Sequence, residues 1–81
     1  MAQVVLCSDC LPYSGGVSSF EAPAATVGQL IDQMEARFPG LGAYAADHMA
    51  FAIDGEIHQN ALFARIGPQS EVYLIPKIGG G

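Results

Sequence analysis

The sequence closes on Leu74-Ile75-Pro76-Lys77-Ile78-Gly79-Gly80-Gly81, a strand-like run that meets a proline and passes into three glycines. Glycine has no side chain to bury and loses the most conformational freedom on ordering, so such a tail adds little to a fold. It suits another task. With no Cβ in the way, a bare α-carboxylate can be threaded into a narrow cleft. The same composition also fits a frayed terminus or an expression scar. The other residues with chemical capacity are Cys7 and Cys10, spaced C-x-x-C, and the two histidines, His48 and His58. A C-x-x-C pair is either a redox couple or half of a zinc site, and a complete zinc site needs four ligands. His48 and His58 lie in different segments without recognisable ligand spacing. The residues therefore favour a buried Cys7 on a strand and a loop Cys10, with redox behaviour as the alternative and no metal.

The elements that must position these groups are constrained by size and charge. Eighty-one residues make one small domain, 1–81, with a tail over 77–81, and a 51% apolar fraction supports a compact core. The net charge is −5, and Arg37, Arg65 and Lys77 are the three basic residues. They are scattered and give no footprint for a phosphate backbone, so no nucleic-acid partner is expected. No apolar run has the length of a membrane span, and no basic region precedes an apolar stretch at the start. The expectation is a soluble protein with a cytoplasmic location and no membrane partner.

Gln3–Cys7 is β-branched and apolar, and reads as a first strand. Ser8–Gly16, with Pro12, Gly15 and Gly16, reads as a reversing turn, and Val17–Ala22 alternates as a second strand. Val27, Leu30, Ile31, Met34 and Phe38 then mark one face of a helix that Pro39-Gly40 stops. Thr26 and Gln29 fit a capping box, and Ala25 with Leu30 a weak hydrophobic staple. Gly28 in the first turn has no rationale in the sequence. Leu41–Met49 is a short helix or an irregular connection. Ala50–Ile53 and Glu56–His58 flank Asp54-Gly55, a strong hairpin dipeptide. Asn60–Ile66 fits no element, Gly67–Ser70 is a turn, and Glu71–Pro76 is the last strand. One helix over one face of a small sheet gives a two-layer α+β domain. A last strand parallel to the first would be reached by a long crossover, with the opposite sheet face left open.

Set side by side, Ala25-Thr26-Val27-Gly28-Gln29-Leu30-Ile31, Arg37-Phe38-Pro39-Gly40-Leu41, Ala52-Ile53-Asp54-Gly55-Glu56 and Glu71–Pro76 before terminal glycines resemble the ubiquitin-like β-grasp sulfur-carrier family. That family includes the small subunit of molybdopterin synthase and the thiamine-pathway sulfur carrier. The resemblance runs from about Val17 onward. It implies a mixed sheet of four to five strands packed on one main helix, followed by a flexible glycine tail. The length and the leucine-isoleucine-proline approach to the tail are more similar to the molybdopterin synthase subunit. The same features also occur in carriers for cysteine or natural-product pathways. In this chain Gly67-Pro68-Gln69-Ser70 replaces the usual glycine-aspartate turn, and three glycines stand where the family has two.

The resemblance further implies a function. An adenylating enzyme of the ubiquitin-activating type joins the terminal carboxylate to AMP from ATP, a sulfur donor converts it to a thiocarboxylate, and a sulfur-accepting synthase subunit receives the sulfur. The carrier binds no cofactor itself; ATP belongs to the activating enzyme. The acceptor carboxylate lies on Gly81 or, if a metalloprotease trims Gly81, on Gly80. Ile75, Pro76, Lys77, Ile78 and Gly79, with the open sheet face, form the expected docking surface. No residues resemble a catalytic constellation, so the chain acts as a cosubstrate or carrier subunit. Conjugation to lysines, as by a ubiquitin-like modifier, is the reading from another class, and a β-grasp interaction module without tail chemistry is a further one.

Overall fold

A computed structural model describes residues 1–78. Inward-facing residues alternate along each main strand and decide which sheet face is covered. In β1 (Ala2–Val5), Ala2 and Val4 are buried, and Leu6 just beyond continues the series. Phe20 and Ala22 do the same in β2 (Ser19–Ala22), and Val72 and Leu74 in β5 (Glu71–Pro76). Against this face lies α2 (Val27–Arg37), whose Val27, Leu30 and Met34 are buried while Ile31 and Phe38 pack at the margin. Complete burial of a side chain such as Leu30 stabilises the fold by about 1.5–3 kcal/mol.

Together with β3 (Met49–Ile53) and β4 (Glu56–His58), the strands form one sheet in the order β2-β1-β5-β3-β4. The last strand is thus the central one. It runs parallel to β1, pairing Val4 with Val72, and antiparallel to β3, pairing Phe51 with Leu74. The β3–β4 turn places Asp54 at φ 49° and Gly55 at φ 86°. Two successive left-handed residues give the turn whose twist matches a two-residue hairpin.

Several local expectations change. Ser8–Gly16 is not a simple turn: a 3₁₀ turn, Ser8–Cys10, leads into a one-turn helix α1 (Leu11–Ser14). Pro12 at the helix start and left-handed Gly15 after its end are the pairing that opens and closes a helix, here compressed into four residues. The cysteines exchange roles as well. Leu6 takes the last inward position, leaving Cys7 half-buried, and the 3₁₀ turn swings Cys10 into the core, fully buried. Leu41–His48 is helical (α3) and runs directly into β3. The staple does not form, because Ala25 is exposed and Ala24 takes the buried position.

The segment after β4 explains both itself and Gly28. It crosses the start of α2, where the Val27 N–H donates to the Ala64 carbonyl at 3.1 Å and the Gly28 N–H to the Leu62 carbonyl at 3.0 Å. These are donors that a helix start leaves without intrahelical partners. A Cβ on Gly28 would stand 3.4 Å from the Leu62 oxygen, so glycine permits the close crossing. Thr26 Oγ1 accepts the Gln29 N–H at 3.2 Å, and Gln29 Oε1 accepts the N–H of Ala25 at 2.9 Å. The reciprocal cap therefore reaches one residue further upstream than expected.

Candidate functional site

The base of the tail is built where three segments converge. Beyond Tyr73, β5 is paired through β3 alone, with Ala50 opposite Ile75 and Met49 opposite Pro76. Pro76 has no N–H to continue the ladder. The Lys77 N–H nevertheless donates to the His48 carbonyl at 3.1 Å, at the end of α3. The Lys77 Nζ donates to the Asn60 side-chain oxygen at 2.8 Å and to the Ala46 carbonyl at 3.3 Å. The Ile78 N–H donates to Gln59 Oε1. A positive charge beside the last carbonyls of a helix is favourable, and this one also holds the departing chain.

Of the residues singled out in the sequence, Ile75, Pro76, Lys77 and Ile78 are thus brought together at the exit of β5, whereas Gly79, Gly80 and Gly81 lie outside the described residues. Lys77 is half-buried and turned onto its own domain, and Ile78 is 62% exposed. Sequence reasoning missed Gln59 and Asn60. The signal for them is slight: a polar pair directly after a short strand, with Asn60 at φ 56°, a left-handed conformation that asparagine tolerates.

The uncovered sheet face continues from this exit. Val5 lies opposite Tyr73, Tyr73 opposite Ala52, and Ala52 opposite Ile57, so four strands contribute one row of apolar and aromatic side chains. Tyr73 and Ile57 are about half exposed, at 44% and 49%. The α2 side of the sheet is sealed; this side is not.

Two carboxylates fix the frame around the row. Asp54 Oδ1 accepts the Glu71 N–H at 2.9 Å, and its Oδ2 accepts the Ser70 hydroxyl at 2.7 Å. Ser70 in turn accepts the Gly67 N–H at 2.9 Å, so the hairpin tip is tied to the start of the central strand. Glu35 accepts the N–H groups of Gly40 at 2.8 Å and Ala43 at 3.0 Å, joining α2 to α3. These backbone donors hold both carboxyls below their ordinary range: for Glu35 Gly40 then Ala43, and for Asp54 Glu71 followed by the Ser70 hydroxyl.

The remaining reactive groups are dispersed. His58 Nε2 lies 3.1 Å from Glu56 on β4, while the His48 ring rests 4.9 Å from that of Tyr44 on α3. Neither joins the cysteines, and among the described residues no three His, Cys, Asp or Glu side chains form a metal-ligand group. Among the same residues no helix is long and apolar enough to cross a membrane.

Comparison with known proteins places this geometry in context. The ThiS family profile matches residues 12–81. Comparison with curated protein sequences finds no match. A chain of the Amycolatopsis orientalis BexX/CysO complex superposes with a TM-score of 0.83 at 23% identity, covering 100% of both chains. Mycobacterium tuberculosis CysO, an antigen, gives 0.84 at 20% identity, over 96% of this chain and 100% of the other. SAMP1 from Haloferax volcanii gives 0.75 at 23% identity, over 99% and 98%. At these identities the likeness is one of fold, the β-grasp arrangement of a five-stranded sheet and its helices.

Proposed function

This chain belongs to the ThiS family of ubiquitin-like sulfur carriers, and we propose from that premise that its terminal glycine carboxylate is adenylated and then converted to a thiocarboxylate. A carboxylate is a poor electrophile, because its charge is delocalised and an oxide leaving group is unfavourable. Attack of a carboxylate oxygen on the α-phosphorus of ATP releases pyrophosphate and leaves an acyl-adenylate, whose leaving group is AMP. The terminal sulfur of a donor persulfide then displaces AMP to give an acyl disulfide. A second thiol of the donor enzyme attacks the donor-side sulfur, breaking the S–S bond, releasing the thiocarboxylate and leaving a disulfide on the donor. ATP, the donor and the catalytic groups belong to partner enzymes; this chain contributes the acyl group and the surface that delivers it. Gly81 carries the acceptor carboxylate, or Gly80 where a metalloprotease has removed Gly81.

The observation that carries the reading is the pinned exit of the central strand. Hydrogen bonds from Lys77 and Ile78 to two neighbouring segments, the end of α3 and the Gln59-Asn60 pair, fix the tail's origin beside the open apolar row. An enzyme gripping Val5, Tyr73, Ala52 and Ile57 thereby sets where the glycines enter its cleft. Docking of this kind makes delivery effectively intramolecular, an advantage of up to about 7–11 kcal/mol in well-oriented systems.

For the pathway we propose the small subunit of molybdopterin synthase, supported by the leucine-isoleucine-proline approach to the tail. The CysO neighbours, one of them in a complex with BexX, support a dedicated carrier for another sulfur-containing metabolite with equal weight. Under either reading we propose a cytoplasmic location and protein partners. The discriminating experiment gives the thiocarboxylated chain to a large molybdopterin synthase subunit and, separately, to an acceptor enzyme for cysteine synthesis. Sulfur release to the first alone supports the synthase role, and release to the second alone contradicts it.

A further inference from the structure

We propose that Cys7 and Cys10 are a thiol–disulfide redox pair, with Cys7 the thiol that meets an external disulfide and Cys10 the thiol that resolves it. This site is separate from the tail and stands whether or not the glycines carry sulfur. Its geometry comes from the 3₁₀ turn. The Cys10 N–H donates to the Cys7 carbonyl at 3.0 Å, and Cys7 caps the turn that Cys10 completes. Such a turn holds the Cα atoms of its first and fourth residues within about 7 Å. Disulfides span about 4.4–6.8 Å between Cα atoms, so the bond needs little backbone movement. Both thiols are free.

Their surroundings divide the labour. Cys7 is half-buried at the edge of the core, whereas Cys10 has 0% exposure. Burial first, and then the adjacent Cys7, push the Cys10 thiol up to about 12. Cys10 is therefore a poor entering nucleophile at neutral pH, and an oxidant also reaches Cys7 first. Once Cys7 is tied up in a mixed disulfide it carries no charge. Its charge then no longer opposes ionisation of Cys10, although burial, the larger cause, still does. The parallel pairing of β1 with β5 brings this site to the same end of the sheet as the tail base.

The oxidant is a low-molecular-weight disulfide, and the exchange balances. Cys7 thiolate attacks one sulfur of RSSR, forming Cys7–S–SR and releasing RS⁻. Cys10 thiolate then attacks the Cys7 sulfur, forming the Cys7–Cys10 bond and releasing the second RS⁻. Two protein thiols are oxidised by two electrons, one disulfide is reduced to two thiols, and the two protein protons end on the departing thiolates.

The test incubates the reduced full-length chain with oxidised glutathione and follows intact mass and alkylation. The expected product is lighter by about 2 Da, has no alkylatable thiol, and is restored by dithiothreitol. In Cys10→Ser the reaction should stop at a Cys7 adduct heavier by about 305 Da. Cys7→Ser should react slower by on the order of tenfold or more. A second measurement avoids the variants: on native wild-type chain, iodoacetamide should label Cys7, and Cys10 only after unfolding. Wild-type chain that stays unmodified or accumulates an unresolved Cys7 adduct, or native labelling of Cys10 ahead of Cys7, would overturn the proposal.

Discussion

The Lys77 ammonium and the Asn60 side-chain oxygen meet at 2.8 Å, joining residues 17 positions apart in the chain. The last cation before the glycines thus holds the exit of the central strand. We predict that Asn60→Gly, which keeps the left-handed backbone and deletes the acceptor, slows adenylation several-fold. The stability cost is set by one exposed hydrogen bond, about 0.5–1.5 kcal/mol. Steady-state activation kinetics alongside urea unfolding check this.

The open apolar row makes a complementary prediction. Tyr73→Thr and Ile57→Thr each leave a β-branched residue suited to a strand while removing contact area. Both should raise the KM of the activating enzyme several-fold and leave kcat nearly unchanged, the pattern of lost docking rather than lost chemistry. Unchanged KM for both would place the docking surface elsewhere.

Gly42 sits where α3 meets α2, and a Cβ there would lie 2.6 Å from the Ile31 carbonyl oxygen and 2.7 Å from Glu35 Cβ. The first contact is backbone and cannot rotate away. Gly42→Ala should therefore destabilise the fold by about 1–3 kcal/mol despite alanine's better helix propensity. Urea midpoints measure it, and activation below the melting range should be nearly normal.

Acid should weaken the fold through Glu35 and Asp54. Both have folded pKa values below their ordinary ones. Their contribution is present above the unfolded values, near about 4, and is lost as pH falls through the lower folded values. Urea midpoints should stay level from neutral pH to about 5 and decline below about 4. Glu35→Gln should lower the neutral-pH midpoint and flatten that decline.

Ser70 links Gly67 to Asp54 from a buried position. Ser70→Ala leaves the Gly67 N–H without its acceptor, and thermal unfolding should show a loss of about 1–2 kcal/mol. Ser70→Thr should recover part of it.

Much of this architecture was legible in the sequence, and the failures share a cause. The α2 stripe, the Asp54-Gly55 hairpin and the alternation of Glu71–Pro76 are periodic or local signals, and each appears in the fold. Cys7 and Cys10 were misplaced because a single 3₁₀ turn, invisible to periodicity, decides which thiol enters the core. Asn60–Ile66 resisted assignment because its order comes from capping α2, a contact made across more than thirty positions of chain. The site divides the same way. Ile75–Ile78 could be picked out from the approach to the glycines, whereas Gln59, Asn60 and the α3 carbonyls that pin them are long-range partners without a motif.

Intact mass reads thiocarboxylation of the tail without intermediary. The chain is incubated with its adenylating enzyme, ATP, a persulfide sulfur donor and a thiol reductant, and the C-terminal peptide is then sequenced by fragmentation. The expected result is a gain of about 16 Da, sulfur for oxygen, confined to Gly81 or to Gly80 in a chain lacking Gly81, and absent without ATP. A chain that binds the adenylating enzyme yet never gains that mass, or gains it away from the terminal glycine, would contradict it.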